Sequence, residues 1–179
     1  MKESQVMNWK RKIALGLTNT ILSGTRNWSF PIKRRLLNWG GIFVENGTKV
    51  VGPIYITGNL RIGKNTWIGH DFSVDGDGCV IIGDNCDIAP RVHCYTGGHL
   101  IGGYNRRAGE GYNKNIVINN GCWICAETKI LAGVEISDGV VVAAGAVVTN
   151  SIKANLLVGG VPAKEVRRLN DESKSDFGK

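Results

Sequence analysis

Residues 118–153 of this chain repeat with a strict period of six. Written in sixes they read INNGCW, ICAETK, ILAGVE, ISDGVV, VAAGAV and VTNSIK. An aliphatic residue opens each block: Ile118, Ile124, Ile130, Ile136, Val142 and Val148. The fifth place holds a small or β-branched residue: Cys122, Thr128, Val134, Val140, Ala146 and Ile152. Six is neither the helical period nor a simple strand alternation. Fixed self-similarity of this length predicts a parallel β-helix. Each block is a short strand and a turn that cannot bury its apolar side alone. Three blocks close one triangular coil, and stacked coils share a continuous core.

The same frame runs through the earlier chain. Blocks from Ile82 to Cys94 read IGDNCD, IAPRVH and CYTGGH. Blocks from Val44 to Val74 read VENGTK, VVGPIY, ITGNLR, IGKNTW, IGHDFS and VDGDGC. The frame slips by two residues between Val74 and Ile82, which predicts a widened turn at Gly76 to Gly78. Fifteen blocks make about five coils over 44–153. After His99, eighteen residues (LIGGYNRRAGEGYNKNIV) pass before the frame resumes at Ile118. As a coil they would put Arg106 and Glu110 at inward places, and unpaired buried charge is too costly. They are predicted to be a loop thrown out of the solenoid at 100–117, where function tends to sit.

The formal net charge is +7, and residues 1–40 carry all of it, eight basic residues against Glu3. The remainder is balanced. Within 1–43, Val6, Trp9, Ile13, Leu17 and Ile21 fall near helical spacing. A second basic and apolar patch, FPIKRRLLNW, ends at Trp39. The segment is predicted to form a helix or two capping the first coil and covering its open edge. A basic amphipathic helix with Trp can also lie on an anionic membrane surface. On that reading Lys10, Arg11, Lys12, Lys33, Arg34 and Arg35 face the lipid. No stretch reaches the length of a membrane span, and the apolar run after Lys12 lacks a signal-peptidase site. Past 153 the frame is lost: VPAKEVRRL reads as a turn or short helix started by Pro162, followed by a polar tail to 179.

Five cysteines, Cys79, Cys86, Cys94, Cys122 and Cys125, lack a metal-site spacing. Cys122-Trp-Ile-Cys125 matches C-x-x-C but lacks the βαβ context of redox proteins. Free thiols suit a reducing cytoplasm. His70, His93 and His99 raise the question of zinc, but His93 and His99 are six apart and fall on adjacent faces of a coil, so no metal is expected. His99 stands apart from the other two, because it follows Gly97-Gly98 at the root of the ejected loop, where a cleft should open.

The residues from about Gly40 to Leu169 resemble the hexapeptide-repeat acyltransferases, most closely the maltose/galactoside O-acetyltransferase group. The likeness is carried by IGDNCDIAPRVHCYTGGH (82–99), NIVINNGCWI (115–124), AGVEISDGVVVAAGAVVTNSI (132–152) and GGVPAKEVRRL (159–169). IKRRLLNWGG resembles the branch that acetylates surface-polysaccharide sugars. The resemblance implies a left-handed parallel β-helix, a homotrimer with sites between neighbours, and acetyl-CoA as co-substrate. It implies His99 as general base toward a sugar hydroxyl. Imidazole changes charge near neutral pH and can take that proton. It implies a coenzyme path along Trp123, Ala126, Ala144, Thr149, Asn150, Lys164 and Arg167, with the Ala126 N–H stabilising the tetrahedral intermediate.

On the acceptor side Asp77 matches a sugar-binding aspartate, and Glu110 and Tyr112 on the loop complete the expected pocket. Gly69 replaces an expected asparagine, with His70-Asp71 following, and Tyr55 replaces a serine. These departures point away from a simple galactoside or maltose. Two alternatives stay open at this point. One is an acetyltransferase for a non-sugar small molecule; the other is a non-catalytic or metal-binding protein like a γ-class carbonic anhydrase. No nucleic-acid partner is implied.

Overall fold

The computed structural model describes residues 9–170. Val6 and the polar tail from 171 lie outside the described residues. Two helices, α1 (Trp9–Asn19) and α2 (Ser29–Trp39), precede the solenoid. The first coil is β1 (Phe43–Val44), β2 (Lys49–Val50) and β3 (Ile54–Ile56). The second is β4 (Asn59–Ile62), β5 (Trp67–Ile68) and β6 (Phe72–Asp75), and the third β7 (Cys79–Ile82), β8 (Asp87–Ile88) and β9 (His93–Tyr95). A hairpin, β10 (Gly97–Ile101) and β11 (Ala108–Asn113), interrupts the winding. The fourth coil is β12 (Ile116–Ile118), β13 (Trp123–Ile124) and β14 (Lys129–Leu131), and the fifth β15 (Glu135–Ile136), β16 (Val141–Val142) and β17 (Val147–Val148). A partial sixth ends in β18 (Leu156–Gly159), and β19 (Lys164–Arg168) closes the described chain.

Strands at equal places stack in parallel and make three faces. The first runs β1-β4-β7-β12-β15, the second β2-β5-β8-β13-β16-β18, and the third β3-β6-β9-β14-β17. The hexad explains the core. The block-opening residues form three buried columns: Val44, Ile62, Ile82, Ile118 and Ile136; Val50, Ile68, Ile88, Ile124, Val142 and Val158; Ile56, Val74, Cys94, Ile130 and Val148. Residues two places earlier point inward as well, because side chains alternate along a strand. They include Leu60, Val80, Ile116 and Val134 on the first face and Ile54, Phe72, Val92 and Ala146 on the third. Thr48 and Thr66 take that place on the second face and hand hydrogen bonds along the column. Thr66 N donates to Thr48 Oγ1 at 3.0 Å and Cys86 N to Thr66 Oγ1 at 3.1 Å.

The widened turn is at Gly76–Gly78, and Gly76 has φ +98. The ejected segment is a β-hairpin, and Ile116 is already back in the core beneath Val80. The C-terminal expectation is corrected in three ways. The solenoid does not end at 153: β18 pairs with β16 and buries Leu156 and Val158. The frame shortens by two residues after Val148, so Ile152 stacks on Ile136 rather than filling a fifth place. Residues 164–168 are a strand, not a helical turn. β18 would otherwise leave its outer edge open, and antiparallel pairing with β19 satisfies it.

The helices close the opposite end. Asn19 and Asn38 each present an amide to a strand edge as another peptide would. Asn19 Nδ2 donates to Ile54 O at 2.7 Å while Ile54 N donates to Asn19 Oδ1 at 2.9 Å. Asn38 Nδ2 donates to Val44 O at 2.9 Å while Val44 N donates to Asn38 Oδ1 at 2.8 Å. At the second face the Lys33 ammonium donates to Gly24 O at 2.8 Å and Val51 O at 3.0 Å, 4.6 Å from the centre of the Phe30 ring.

Lys33 is therefore removed from the set of lipid-facing cations, since it is fully buried. Arg11 leaves it too, since its guanidinium is part-buried and donates to Gly58 O. The expected apolar side of α1 is also not its docking side. Ala14 and Thr18 are buried, while Trp9, Ile13, Leu17 and Ile21 face outward.

Burial, with a smaller contribution from Arg26, pushes the Lys33 pKa down from 10.5 to about 8. Between those values the unfolded chain keeps a proton that the folded chain has released, so stability rises with pH through that window. The urea stability of wild type minus that of Lys33→Met should climb from pH 8 toward 10.5. A difference that stays flat refutes the buried-amine account.

Candidate active site

The hairpin leaves the prism at the edge between the third and first faces. Its strands pair antiparallel, with Gly97 opposite Asn113, Gly98 opposite Tyr112 and His99 opposite Gly111. A bulge follows His99. Opposed residues share a side of the ribbon, so His99, Gly111 and Asn113 lie on one side and Gly98 and Tyr112 on the other, with Glu110 in the bulge. His99 Nδ1 lies 2.9 Å from Gly109 O. A carbonyl can only accept, so the proton sits on Nδ1 and Nε2 carries the free lone pair. This backbone contact orients the imidazole, and no sequence signal foretold it.

On the His99 side, Asn113 Oδ1 accepts from Asp77 N at 2.9 Å and ties the widened turn to the hairpin root. Gly76 is needed there: a Cβ would stand 2.6 Å from Gly97 N. Thr96 is fully buried and completes the joint, accepting from Gly78 N at 3.1 Å and donating to Asp75 O at 2.9 Å. Sequence reasoning missed Thr96, just before the hairpin, and Asn113, its last residue. On the other side, the Tyr112 ring lies against the backbone of Gly98, where a Cβ would come within 2.7 Å. Lys114 Nζ sits 5.5 Å from that ring's centre. His99 and Tyr112 border an open groove of about 440 Å³ with Gly97, Gly98, Gly111 and Asn113.

The expected coenzyme residues fall into two groups. Thr149 and Asn150 lie in the turn between the third and first faces, on the His99 edge, and Asn150 Nδ2 donates to Thr149 Oγ1 at 3.0 Å. The others lie on the second face or the edge it shares with the third. Trp123 stands in a transverse row with Val141, Leu157 and Arg167. Strands are about 4.8 Å apart, so the row spans roughly 14 Å. Ala126 and Ala144 occupy equivalent turns one coil apart, joined by Gly145 N donating to Ala126 O at 2.9 Å. The Ala126 N–H meets no acceptor among the described residues. Lys164 and Arg167 are exposed on β19. The chain thus carries His99 and the small residues Ala126 and Ala144 on different corners of the prism.

The remaining polar groups serve the scaffold. His70 Nδ1 lies 2.8 Å from Asp71 Oδ2, and His93 Nδ1 lies 2.8 Å from Ser73 Oγ. Among the described residues no cluster of three metal-ligating side chains forms. Contact with Cys86 and burial push the Cys122 thiol up, and burial pushes up Cys125, the opposite of a reactive thiolate.

No family model matches the chain. It is 36% identical over 129 residues to the galactoside O-acetyltransferase of Escherichia coli, covering 71% of this chain and 64% of that protein, just under two thirds of its length. It is 32% identical over 166 residues to a Saccharomyces cerevisiae protein named as an acetyltransferase, covering 92% of this chain and 83% of that one. The crystal structure of a galactoside acetyltransferase in complex with coenzyme A superposes with a TM-score of 0.85 at 29% identity, covering all of this chain and 88% of that one. The period, the ejected hairpin and this likeness over nearly the whole chain agree, and the chain belongs to the hexapeptide-repeat acyltransferases, with their left-handed parallel β-helix.

Proposed function

We propose that the protein transfers an acetyl group from acetyl-CoA directly to a hydroxyl of a sugar, with His99 as general base. The observation that carries this reading is the contact of His99 Nδ1 with Gly109 O. With Nδ1–H committed to Gly109 O, Nε2 is left as a proton acceptor beside an open groove. The acceptor hydroxyl gives its proton to Nε2 as its oxygen bonds to the thioester carbonyl carbon. The intermediate collapses, the C–S bond breaks, and the thiolate takes the proton back from the imidazolium. The free N–H of Ala126 suits the oxyanion. The row from Trp123 to Arg167 and the small residues at Ala126 and Ala144 suit a long arm that ends in phosphates.

Asp77 is the sugar-binding carboxylate in this reading, with Glu110 and Tyr112 contributing from the hairpin strand β11. Tyr55 is exposed and Gly69 has no side chain to offer, where the resemblance expects serine and asparagine. The acceptor is accordingly a surface-polysaccharide precursor or related saccharide rather than a simple galactoside. Free thiols on five cysteines fit work in a reducing cytoplasm. Thiol release from acetyl-CoA, measured across a panel of saccharides, tests the reading. Hydrolysis without acceptor dependence for every saccharide sinks it.

The separation of the two edges supports a homotrimer in which one protomer's His99 meets a neighbour's coenzyme edge. Subunits carrying His99→Ala and subunits carrying Ala144→Trp should each be nearly inactive. Unfolded together and refolded as a 1:1 mixture, they should recover about one quarter of wild-type turnover, the chance that a site draws an intact half from each. Failure to recover any turnover, with trimers formed, would place the whole site in one protomer.

A further inference from the structure

The orientation of α1 is inverted relative to its own amphipathicity. A surface helix in water ordinarily turns its apolar stripe toward the core. Here Trp9 (62% exposed), Ile13, Leu17 and, just past the helix, Ile21 (68% exposed) point away from the solenoid, while Ala14 and Thr18 dock and Leu15 is half-buried against the core. The docked side is imperfect: Arg11 Nε and Thr18 Oγ1 are buried without a hydrogen-bond partner. The exposed apolar surface continues onto α2. Trp39 stacks edge-on against Trp9 at 5.4 Å, and Trp28 and Ile32 are exposed further along. A contiguous apolar patch of this kind marks a docking surface.

Charge identifies the occupant. Residues 9–44 contain no acidic side chain. Lys33 and Arg11 serve the scaffold, and Arg34 lines a groove with Phe30, Thr48 and Lys49; Lys12, Arg26 and Arg35 are exposed on the helices and the turn between them, with Lys10 half-buried beside Trp39. Lys10 Nζ lies 5.7 Å from the Trp39 ring centre and Arg26 Cζ 5.7 Å from that of Trp28. A second copy of the chain would bring the same cations against themselves. Indole rings beside Lys and Arg on one helical surface match the boundary between headgroups and acyl chains. We infer that the outward side of α1 and α2 is a docking surface for an anionic lipid bilayer, holding the solenoid at the membrane face reversibly. No helix of the described chain is long and apolar enough to cross a membrane, so the contact is interfacial. The inference is independent of the catalytic reading.

Full-length protein is sedimented with vesicles of phosphatidylcholine alone and with vesicles containing about one third phosphatidylglycerol. Wild type should partition to the anionic vesicles at low salt and more weakly at physiological salt. Lys12→Gln with Arg35→Gln should weaken that partition about 25-fold at low salt, about fivefold per charge. Ile13→Ser with Leu17→Ser should weaken it about tenfold or more, while Lys49→Gln, on the solenoid, should not. Circular dichroism and light scattering on each variant report helix content and oligomeric mass. Wild type that stays in the supernatant with anionic vesicles at low salt overturns the proposal. So does equal binding to neutral vesicles. A change of oligomeric mass in Ile13→Ser with Leu17→Ser, with lipid binding intact, overturns it too and makes the stripe a subunit interface.

Discussion

His99→Ala should lower kcat by about 10²-fold or more, because a positioned base contributes roughly 10²–10⁴-fold to proton transfer. Ten squared is about 2.7 kcal/mol of transition-state stabilisation. The loss should fall on kcat rather than on coenzyme affinity. His99 sits on the hairpin edge, while Trp123, Ala126, Ala144, Lys164 and Arg167 sit on another edge of the prism. Fold and assembly should be untouched, since His99 is exposed and its one hydrogen bond is to a carbonyl within the hairpin. Steady-state kinetics, coenzyme binding by calorimetry and mass by light scattering check the three parts. Turnover within about threefold of wild type would remove His99 from the chemistry, since no base worth 10²-fold would then be missing.

Phe72→Ala should destabilise the fold by about 3–5 kcal/mol. Phe72 is fully buried at the inward place of β6, on the column it shares with Ile54. The neighbouring coils cannot collapse into the gap, because their spacing is fixed by the parallel ladders above and below. For a chain of this size about 1 kcal/mol shifts Tm by roughly 2–4 °C, so a fall of roughly 6–20 °C is expected at fixed protein concentration. A solenoid's stability is a sum over neighbouring coils, so the loss should appear first in the coils around β6. Hydrogen exchange should show 54–75 losing protection before 134–148. A change in stability below about 1 kcal/mol would mean that the column is not packed as described.

The solenoid was legible because its signal is local and repeated. Each block states its own inward residue, and every coil must agree with the next, so the stacking of Val44 on Ile62 and of Ile118 on Ile136 follows from the period alone. The slip at Gly76–Gly78 and the ejected segment were legible as breaks in that period. The frame slip at Ile152 was not, because Ile152 also fits the small or β-branched fifth place. The strand Lys164–Arg168 was missed because a Pro followed by basic residues reads locally as a helix start, whereas an open β18 edge is visible only once the coils are stacked. The candidate site was legible as a place, the root of the ejected segment, but not as a mechanism. Asn113 holding Asp77, and Gly109 O holding His99, join residues that are far apart in sequence or contribute only backbone.

By itself the amino-acid order determined the coils from 44 to 148, their block-opening core residues and the point where the winding breaks, since burial of a repeated apolar pattern admits one register within each unbroken run. Only the tertiary structure decided how elements rotate against each other. It turned the apolar stripe of α1 outward and spent Lys33 and Arg11 on the solenoid's open end. It set His99 Nδ1 against Gly109 O, and it put Trp123, Ala126, Ala144, Lys164 and Arg167 away from the His99 edge that Thr149 and Asn150 share. A helix shows its apolar side in sequence but not which side docks. Docking is settled by which backbone groups at the open edge need partners, and Asn19, Asn38 and Lys33 supply them.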